Sequence, residues 1–372
     1  HLDHEAHRSR STRHPLGATV PSKTGRATLA TVAASAGVSV ATVSKVVNGR
    51  HDVAPTTRAL VEDLLHQHDY VGRRQQPAPA RAGVTHPTVE LVFDGEFNAY
   101  FAEIIQGVLD AGTEAGVTVS VTLRGRGSAV ADHPVAWVRE LAAAGRQAVI
   151  GVVNALSARH VTALARAHLP LVVIDPIDLP RARVTSVGAT NFAGGLAATR
   201  HLLELGHRRI GYVGGSMTAA CNQARMHGFR AAMEAAAAAV PEGFVRTGSF
   251  NYADGVAGAT ALLDLPEPPT AVFAGSDETA AGVIEAARVR GLRVPEDLSV
   301  VGFDDTQLAR FCAPPLTTVR QPLQEMGGVA LRTALRLVAG EKLDSHHVEL
   351  ATQLVRRHST AAPPAAVPLG RR

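Results

Sequence analysis

Two cysteines in 372 residues, Cys221 and Cys312, are too few for a disulfide scaffold and suit a reducing compartment. No Cys/His cluster has the spacing of metal ligands, so neither a metal nor a cofactor is expected. Hydrophobic residues make up 46% of the chain, yet no apolar run reaches the roughly 18 residues that would span a bilayer. The first 26 residues hold no apolar signal core. These absences together lead to the expectation of a cytoplasmic chain without a membrane partner. The signatures of common α/β enzymes are missing as well. Gly214, Gly215 and Ser216 are followed by Met217 and Thr218 rather than a nucleophile elbow, no Walker loop occurs, and Gly125-Arg126-Gly127 lacks the third glycine of a dinucleotide fingerprint. Asp304 and Asp305 are adjacent, and sequence neighbours usually point apart, so an acid/base pair is not expected there.

What is present begins with an uneven charge. Residues 1–86 contain eleven Lys and Arg against six Asp and Glu, a surplus of five in a chain whose net charge is +4. Residues 1–26 are polar, His/Arg-rich and unpatterned, and read as a disordered basic tail. Residues 27–72 have a pattern. Thr28 is placed to cap a helix that buries Leu29, Val32, Ala33 and Ala36. Gly37 then makes a tight turn, Val38 plugs the core and Ser39 caps a second helix. That helix turns Val43, Val46 and Val47 inward and leaves Val40, Ala41, Thr42, Ser44 and Lys45 outside. A third helix starts near Pro55–Thr57 and packs Leu60, Val61, Leu64 and Leu65. Two short helices across a glycine turn are the helix-turn-helix pattern. A plain three-helix bundle would carry more Glu and Lys on that outer face. Here it is small and hydroxylated, then basic at Lys45, which lets a helix approach base edges and phosphates.

The run AGVSVATVSKVVNG (Ala36–Gly49) resembles the motif of the LacI/GalR family of bacterial transcription regulators. The resemblance extends from Thr28 to about Thr360, through HLLELGHRRIGYVGG (His201–Gly215), GLRVPEDLSVVGFDD (Gly291–Asp305) and PPLTTVRQP (Pro314–Pro322). It implies a DNA-binding regulator, expected to be a repressor, that places paired recognition helices on a near-palindromic double-stranded operator. Val40 and Ala41 would read base edges, Thr42 and Ser44 would hold phosphates, and Lys45 would reach a guanine. Thr28, Ser39, Asn48, Arg73 and Arg74 complete the expected DNA-contacting set. Residues 73–87 form a Pro- and Ala-rich linker. Many family members have a short hinge helix with a minor-groove leucine at this point. Here Pro77 and Pro79 interrupt it and no leucine occurs, so no such helix is expected. The absence of an apolar heptad tail after Thr360 favours a homodimer over a tetramer.

From residue 88 to 360 short apolar runs alternate with helical stretches, which implies parallel sheets covered on both faces. A break near Val187–Asn191 divides them into two sheets. The family resemblance makes these two Rossmann-like lobes of the periplasmic-binding-protein type I kind, with Pro314–Pro322 crossing back to the first lobe and residues 361–372 a loose tail. Ligands of such sheets sit beyond the carboxyl ends of strands. That rule selects Asp94, Glu96, Asn98, Tyr100 and Phe101, then Asp175, Ser276, Asp277, Asp304 and Asp305, with Arg225 opening a helix, Phe250 in a loop and Gln321 at the crossover. Polar groups beside aromatic platforms suit a sugar. By resemblance, Asp175, Arg225, Ser276, Asp304 and Gln321 stand where sugar-responsive members contact effector, Ser276 replacing a common Asn, and Phe250 matches a stacking position. The effector-binding set is therefore Asp94, Asn98, Tyr100, Asp175, Arg225, Phe250, Ser276, Asp304 and Gln321. Asp277 reads as a helix cap, Asp305 as a loop group, Trp137 as packing and His207 as a turn residue. VTSVGATNFAGGLAATRHL (Val184–Leu202) resembles members tied to plant-polysaccharide use and favours a pentose or xylo-oligosaccharide. Two rival classes remain, an α/β enzyme and a sugar-binding protein without DNA function. The amino-terminal module is explained by neither.

Overall fold

The computed structural model describes residues 29–47, 53–67, 87–94, 96–124, 133–153, 156–176 and 184–364, which fall into two compact units, one within 1–85 and one within 86–372. The expected basic tail, Thr28, Asn48, the linker with Arg73, Arg74, Pro77 and Pro79, and residues 365–372 lie outside the described residues.

In the first unit, α1 (Leu29–Ala36) and α2 (Val40–Val47) turn by 109° about a break at Gly37, whose φ of 66° is the left-handed conformation a glycine adopts without strain. Ser39 caps α2, its hydroxyl accepting the Thr42 N–H at 3.1 Å. α3 (Pro55–Gln67) opens on a proline, whose missing N–H is no loss in a first turn. Val32, Ala33, Val43, Val46 and Val61 are buried together, with Leu29, Ala36, Val38, Val47, Leu64 and Leu65 half-buried around them. Leu60 departs from the expected core and is 48% exposed. Two eight-residue helices cover the stripe through Val61, Leu64 and Leu65, and Leu60 lies beyond its edge.

The second unit contains two six-stranded sheets of the same winding. The first has the order β2-β1-β3-β4-β5-β11, from β1 (Thr88–Asp94), β2 (Thr118–Arg124), β3 (Arg146–Val152), β4 (Leu171–Ile174), β5 (Thr185–Ala189) and β11 (His347–Leu350). The second has the order β7-β6-β8-β9-β10-β12, from β6 (Ile210–Gly214), β7 (Val245–Thr247), β8 (Ala271–Ala274), β9 (Ser299–Asp304), β10 (Thr317–Arg320) and β12 (Gln353–Val355). All pairings are parallel except β10 with β12. Central strands such as β6, β8 and β9 are buried on both faces, which is why they read as continuous apolar runs. In each sheet the winding reverses beside its first strand, between β1 and β3 and between β6 and β8. These are the places where open α/β sheets leave a crevice.

Helices cover the sheets: α4 (Ala99–Ala115), α5 (Pro134–Ala143), α6 (Ala158–Arg166) and α12 (Leu323–Val338) on the first, and α7 (Asn191–Glu204), α8 (Ala220–Ala235), α9 (Tyr252–Leu263), α10 (Asp277–Val289) and the short α11 (Gln307–Phe311) on the second. Three helix pairs pack through reciprocal glycines. A Cβ on Gly195 of α7 would strike the Arg225 carbonyl, and one on Gly228 of α8 would strike that of Phe192. Gly255 and Gly282 do the same for α9 and α10, as Gly107 and Gly327 do for α4 and α12. The backbones therefore approach more closely than side chains would permit.

The chain passes between lobes three times: at Thr190 after β5, at Gln321 and Pro322 after β10, and at Ala351 and Thr352 between β11 and β12. The first and third passages are tied, the Thr190 hydroxyl lying 3.0 Å from that of Thr352 and accepting its N–H at 3.0 Å.

The observed elements refine the sequence reading. Thr317–Arg320 is a strand of the second lobe, so the passage back is only Gln321 and Pro322. α8 starts at Ala220, which puts Arg225 in its second turn instead of at its opening. Ser276, not Asp277, caps α10. His207 is more than a turn residue: it is buried, with Nδ1 2.8 Å from the Thr270 hydroxyl and Nε2 2.9 Å from the Ala361 carbonyl oxygen. Ala361, placed in a loose tail by the sequence, also donates its N–H to Ser299 Oγ at 3.0 Å. Trp137 is buried in a cluster with Val138, Leu141 and Leu164, as its amphipathic helix implied.

Candidate ligand cleft and nucleic-acid interface

In the first unit the outer face of α2 presents Val40, Ala41 and Lys45 exposed, with Thr42 and Ser44 half-buried beside them. Val40 at 47% exposure is an apolar group with no core to enter, at the first position of the helix. The Thr42 hydroxyl lies 2.9 Å from that of Ser39, and the Ser39 hydroxyl already receives the α2 N–H. Ser39 is thus engaged in holding the helix start.

In the second unit the strand ends bring together groups far apart in sequence. Arg225 is the hub and is 3% exposed. Its Nε donates to Asn191 Oδ1 at 2.8 Å, and Nη1 donates to the Gly275 carbonyl at 2.6 Å and stands 3.8 Å from Asp304 Oδ1. The guanidinium lies over the Phe303 ring at 3.9 Å and nearer its edge over Phe250 at 5.3 Å. Asp304, the last residue of β9, accepts from Gln321 Nε2 at 2.7 Å. From the first lobe, Asp175 follows β4 and accepts the Tyr100 hydroxyl at 2.6 Å.

Phe250 sits over the β6/β8 reversal. A Cβ on Gly215 would strike its ring at 2.2 Å, and one on Gly275 would lie 2.8 Å from it. The ring therefore rests on bare backbone. Ser276 supports it from beneath: its hydroxyl donates to the Phe250 carbonyl at 2.9 Å and accepts the Thr279 N–H at 3.0 Å. Asn98 caps α4, Oδ1 accepting the Phe101 N–H at 3.1 Å. Asp94 ends β1, and its side chain lies outside the described residues. Tyr100 and Phe101 divide the work, Tyr100 reaching Asp175 while Phe101 is buried and stacks on Phe93 at 4.8 Å between centroids.

Two flanking carboxylates serve the frame. Asp277 is buried and accepts the Thr306 N–H at 2.7 Å and the Thr318 hydroxyl at 2.5 Å. Asp305 pairs with Arg320 at 2.7 Å and Arg357 at 2.5 Å. The sequence reading missed Asn191, Asn222 and Cys221. Asn191 orients Arg225. Asn222 Oδ1 accepts from Tyr212 and from the Gly215 N–H, while its Nδ2 is buried without an acceptor among the described residues. Asn191 lies at the first passage between lobes, so the break in the strand pattern near Val187–Asn191 was the available signal.

Electrostatics and strain mark the same place. Burial pushes the Asp304 carboxyl up to about 7 against the lowering pull of Arg225 and Gln321. Asp175 is also raised by burial, opposed by the Tyr100 hydrogen bond and Arg225. Tyr100 is held well above its ordinary value by burial and then by Asp175. Burial takes the Cys221 thiol up to about 11. Seven described non-glycine residues have φ in the left-handed region, and five end or follow strands at this edge: Val153, Asp175, Phe250, Asp304 and Asp305. Each costs on the order of 1–3 kcal/mol, and such strain gathers where side chains must be aimed.

Two doubly wound lobes around a buried hydrogen-bonding cleft define a two-lobed module of the periplasmic-binding-protein-like class, preceded in the chain by a helix-turn-helix. Residues 199–360 match the periplasmic binding protein-like domain, and residues 28–72 match the bacterial regulatory proteins of the lacI family. The transcriptional regulator CelR of Thermobifida fusca is 36% identical over 356 residues, spanning 90% of this chain and 98% of its own. The structure of a CelR–cellobiose complex superposes with a TM-score of 0.67 at 32% identity, over 90% of this chain and all of that one. The lac repressor dimer bound to operator and an anti-inducer gives 0.66 at 25% identity, over 91% and 100%. The chain belongs to the lacI family of bacterial regulatory proteins and is a DNA-binding transcriptional regulator.

Proposed function

We propose that this regulator is a repressor that binds a near-palindromic operator as a homodimer, and that a sugar held between the two lobes sets its operator affinity. The observation that carries the reading is the cleft around Arg225. Asp175, Asp304 and Gln321 offer acceptors and donors at fixed positions, and Phe250 lies as a platform beside them. A sugar ring presents hydroxyls to the first set and a C–H face to the second. The cellobiose in the CelR complex supports the same chemistry. Val40, Ala41, Thr42, Ser44 and Lys45 form the proposed reading face, with Ser39 fixing its helix start.

Control follows from the three passages between lobes. A ligand that contacts both lobes favours one lobe arrangement over another, and it changes operator affinity only through its different affinity for the two states. No single helix among the described residues is long and apolar enough to cross a membrane, and a cytoplasmic site of action fits an operator partner. The test is Arg225→Ala in the full chain. Operator binding should persist and the saccharide response should vanish. A mutant that still responds at unchanged saccharide concentration would place the effector elsewhere.

A further inference from the structure

The ligand can be narrowed by counting which charges meet it. Arg225 is the cation at the heart of the cleft, and it is already engaged by Asn191, the Gly275 carbonyl and Asp304, with its faces against Phe303 and Phe250. Against it stand Asp304 at 3.8 Å and Asp175 from the facing lobe, with Asp277 buried behind. Farther out, Glu278 of the second lobe is raised by burial and, in the same direction, by Glu96 of the first. Beside the second passage lies a cavity of about 230 Å³ that shares Asp304 and Gln321 with the cleft. Its wall carries four carboxylates, Asp304 among them, and two guanidiniums, Arg310 and Arg320, and Arg320 is bound to Asp305 at 2.7 Å. The orphaned acceptor has the same sense: Gln321 is 3% exposed, and its Oε1 has no donor among the described residues.

Against one orphaned donor, Asn222 Nδ2, and an arginine already engaged, the wall carries the larger share of acceptors, and it asks its ligand for donors. Saccharide hydroxyls supply them. A phosphate dianion or a sugar carboxylate supplies acceptors only, and would bring a further acidic group beside the buried carboxyls of Asp175 and Asp304 in a site where charge is poorly screened. The geometry points to a saccharide without an anionic group as the ligand of this cleft, with sugar phosphates and sugar acids excluded. This inference rests on the sugar reading above and sharpens it.

The experiment is titration calorimetry of the full chain with matched pairs that keep every sugar ring: glucose and glucose 6-phosphate, glucose and glucuronate, cellobiose and cellobiouronate. At least one neutral saccharide should bind, and its anionic counterpart should bind at least about tenfold more weakly, a difference of about 1.4 kcal/mol. Asp175→Asn should narrow that gap, and Asp304→Asn is a second, independent variant with the same expected sign. An anionic counterpart that binds as tightly as its neutral parent, or a gap unchanged in both folded variants, overturns the inference and leaves the sugar reading standing. If no saccharide of either kind binds while operator binding persists, the sugar reading and this inference fall together.

Discussion

The two units solve opposite problems. The first wears its chemistry on the outside: Val43, Val46 and Val61 hold α2 in place and leave Val40, Ala41 and Lys45 on the exposed face. The second hides its chemistry inside, where Arg225, Asp304 and Gln321 are each at most 5% exposed and are held by α8, the end of β9 and the passage after β10. Substitutions on the exposed face should change DNA binding without altering the module that carries it. In the cleft, the atoms proposed to recognise the ligand also hold the fold together, so the two effects should come together.

The largest expected effect is that of Arg225→Ala. It leaves Asp304 buried without its cation and Asn191 without its donor, a loss on the order of 3–5 kcal/mol in the stability of the second unit. Saccharide binding should disappear in calorimetry, while the first unit keeps its helical content and DNA affinity. A mutant of wild-type stability would show that the hub is not structural and would break the contrast between the units. Next comes Val43→Ala, which opens a void in a small core and should cost about 2 kcal/mol. In so small a module that is a large share of the total. The expected result is loss of operator binding with saccharide affinity unchanged, read by fluorescence anisotropy and calorimetry on the same sample.

Lys45→Ala should weaken operator binding by about 1–3 kcal/mol if the lysine reads a base, and relax specificity at one position of the site. A uniform loss across sequences with a shallower salt dependence would instead mark a phosphate contact. The smallest effect is on pH. Burial holds Asp304 at about 7, so near neutrality it is partly protonated. Sugar hydroxyls donating to its carboxylate favour the ionised form and lower that value in the complex, so binding releases protons. Affinity should therefore rise from pH 6 to 8 by up to about tenfold and level off above, with the slope abolished in Asp304→Asn. The same measurement in buffers of different ionisation enthalpy gives the proton count.

Much of the first unit was legible because its signals are local. A glycine turn, a capping serine and a 3.6-residue stripe fix three helices within forty residues, and Leu60 was misplaced only because periodicity does not say how wide a stripe the neighbours cover. In the second unit α4 and α9 are long stretches with clear asparagine caps, Asn98 and Asn251, and such local signals make a helix legible. β10 was not legible. Its Thr317 and Thr318 are fully buried with hydroxyls bonded to Thr360 and Asp277, so a buried strand there looks polar. β7, β12 and α11 are three to five residues long, too short for any period to show, and β11 alternates half-buried with exposed at a sheet edge.

The strand-end rule gathered Asp175, Phe250, Asp304 and Gln321 from across the chain. It could not tell which polar groups face the cleft and which brace it. Ser276 and Asp277 are neighbours, yet one caps α10 at Thr279 and supports Phe250 while the other braces Thr306 and Thr318. Asn191 was missed because its importance comes from a partner 34 residues away.

The central claim is that a saccharide in the cleft controls what α2 does on DNA. The most direct measurement is selection of genomic fragments bound by the full chain at fixed salt, repeated with each neutral saccharide that binds in calorimetry. The account predicts a symmetric site whose enrichment is lost or gained with one of those saccharides, and a response that Arg225→Ala removes. A symmetric site enriched equally with and without every saccharide that the chain binds would contradict it.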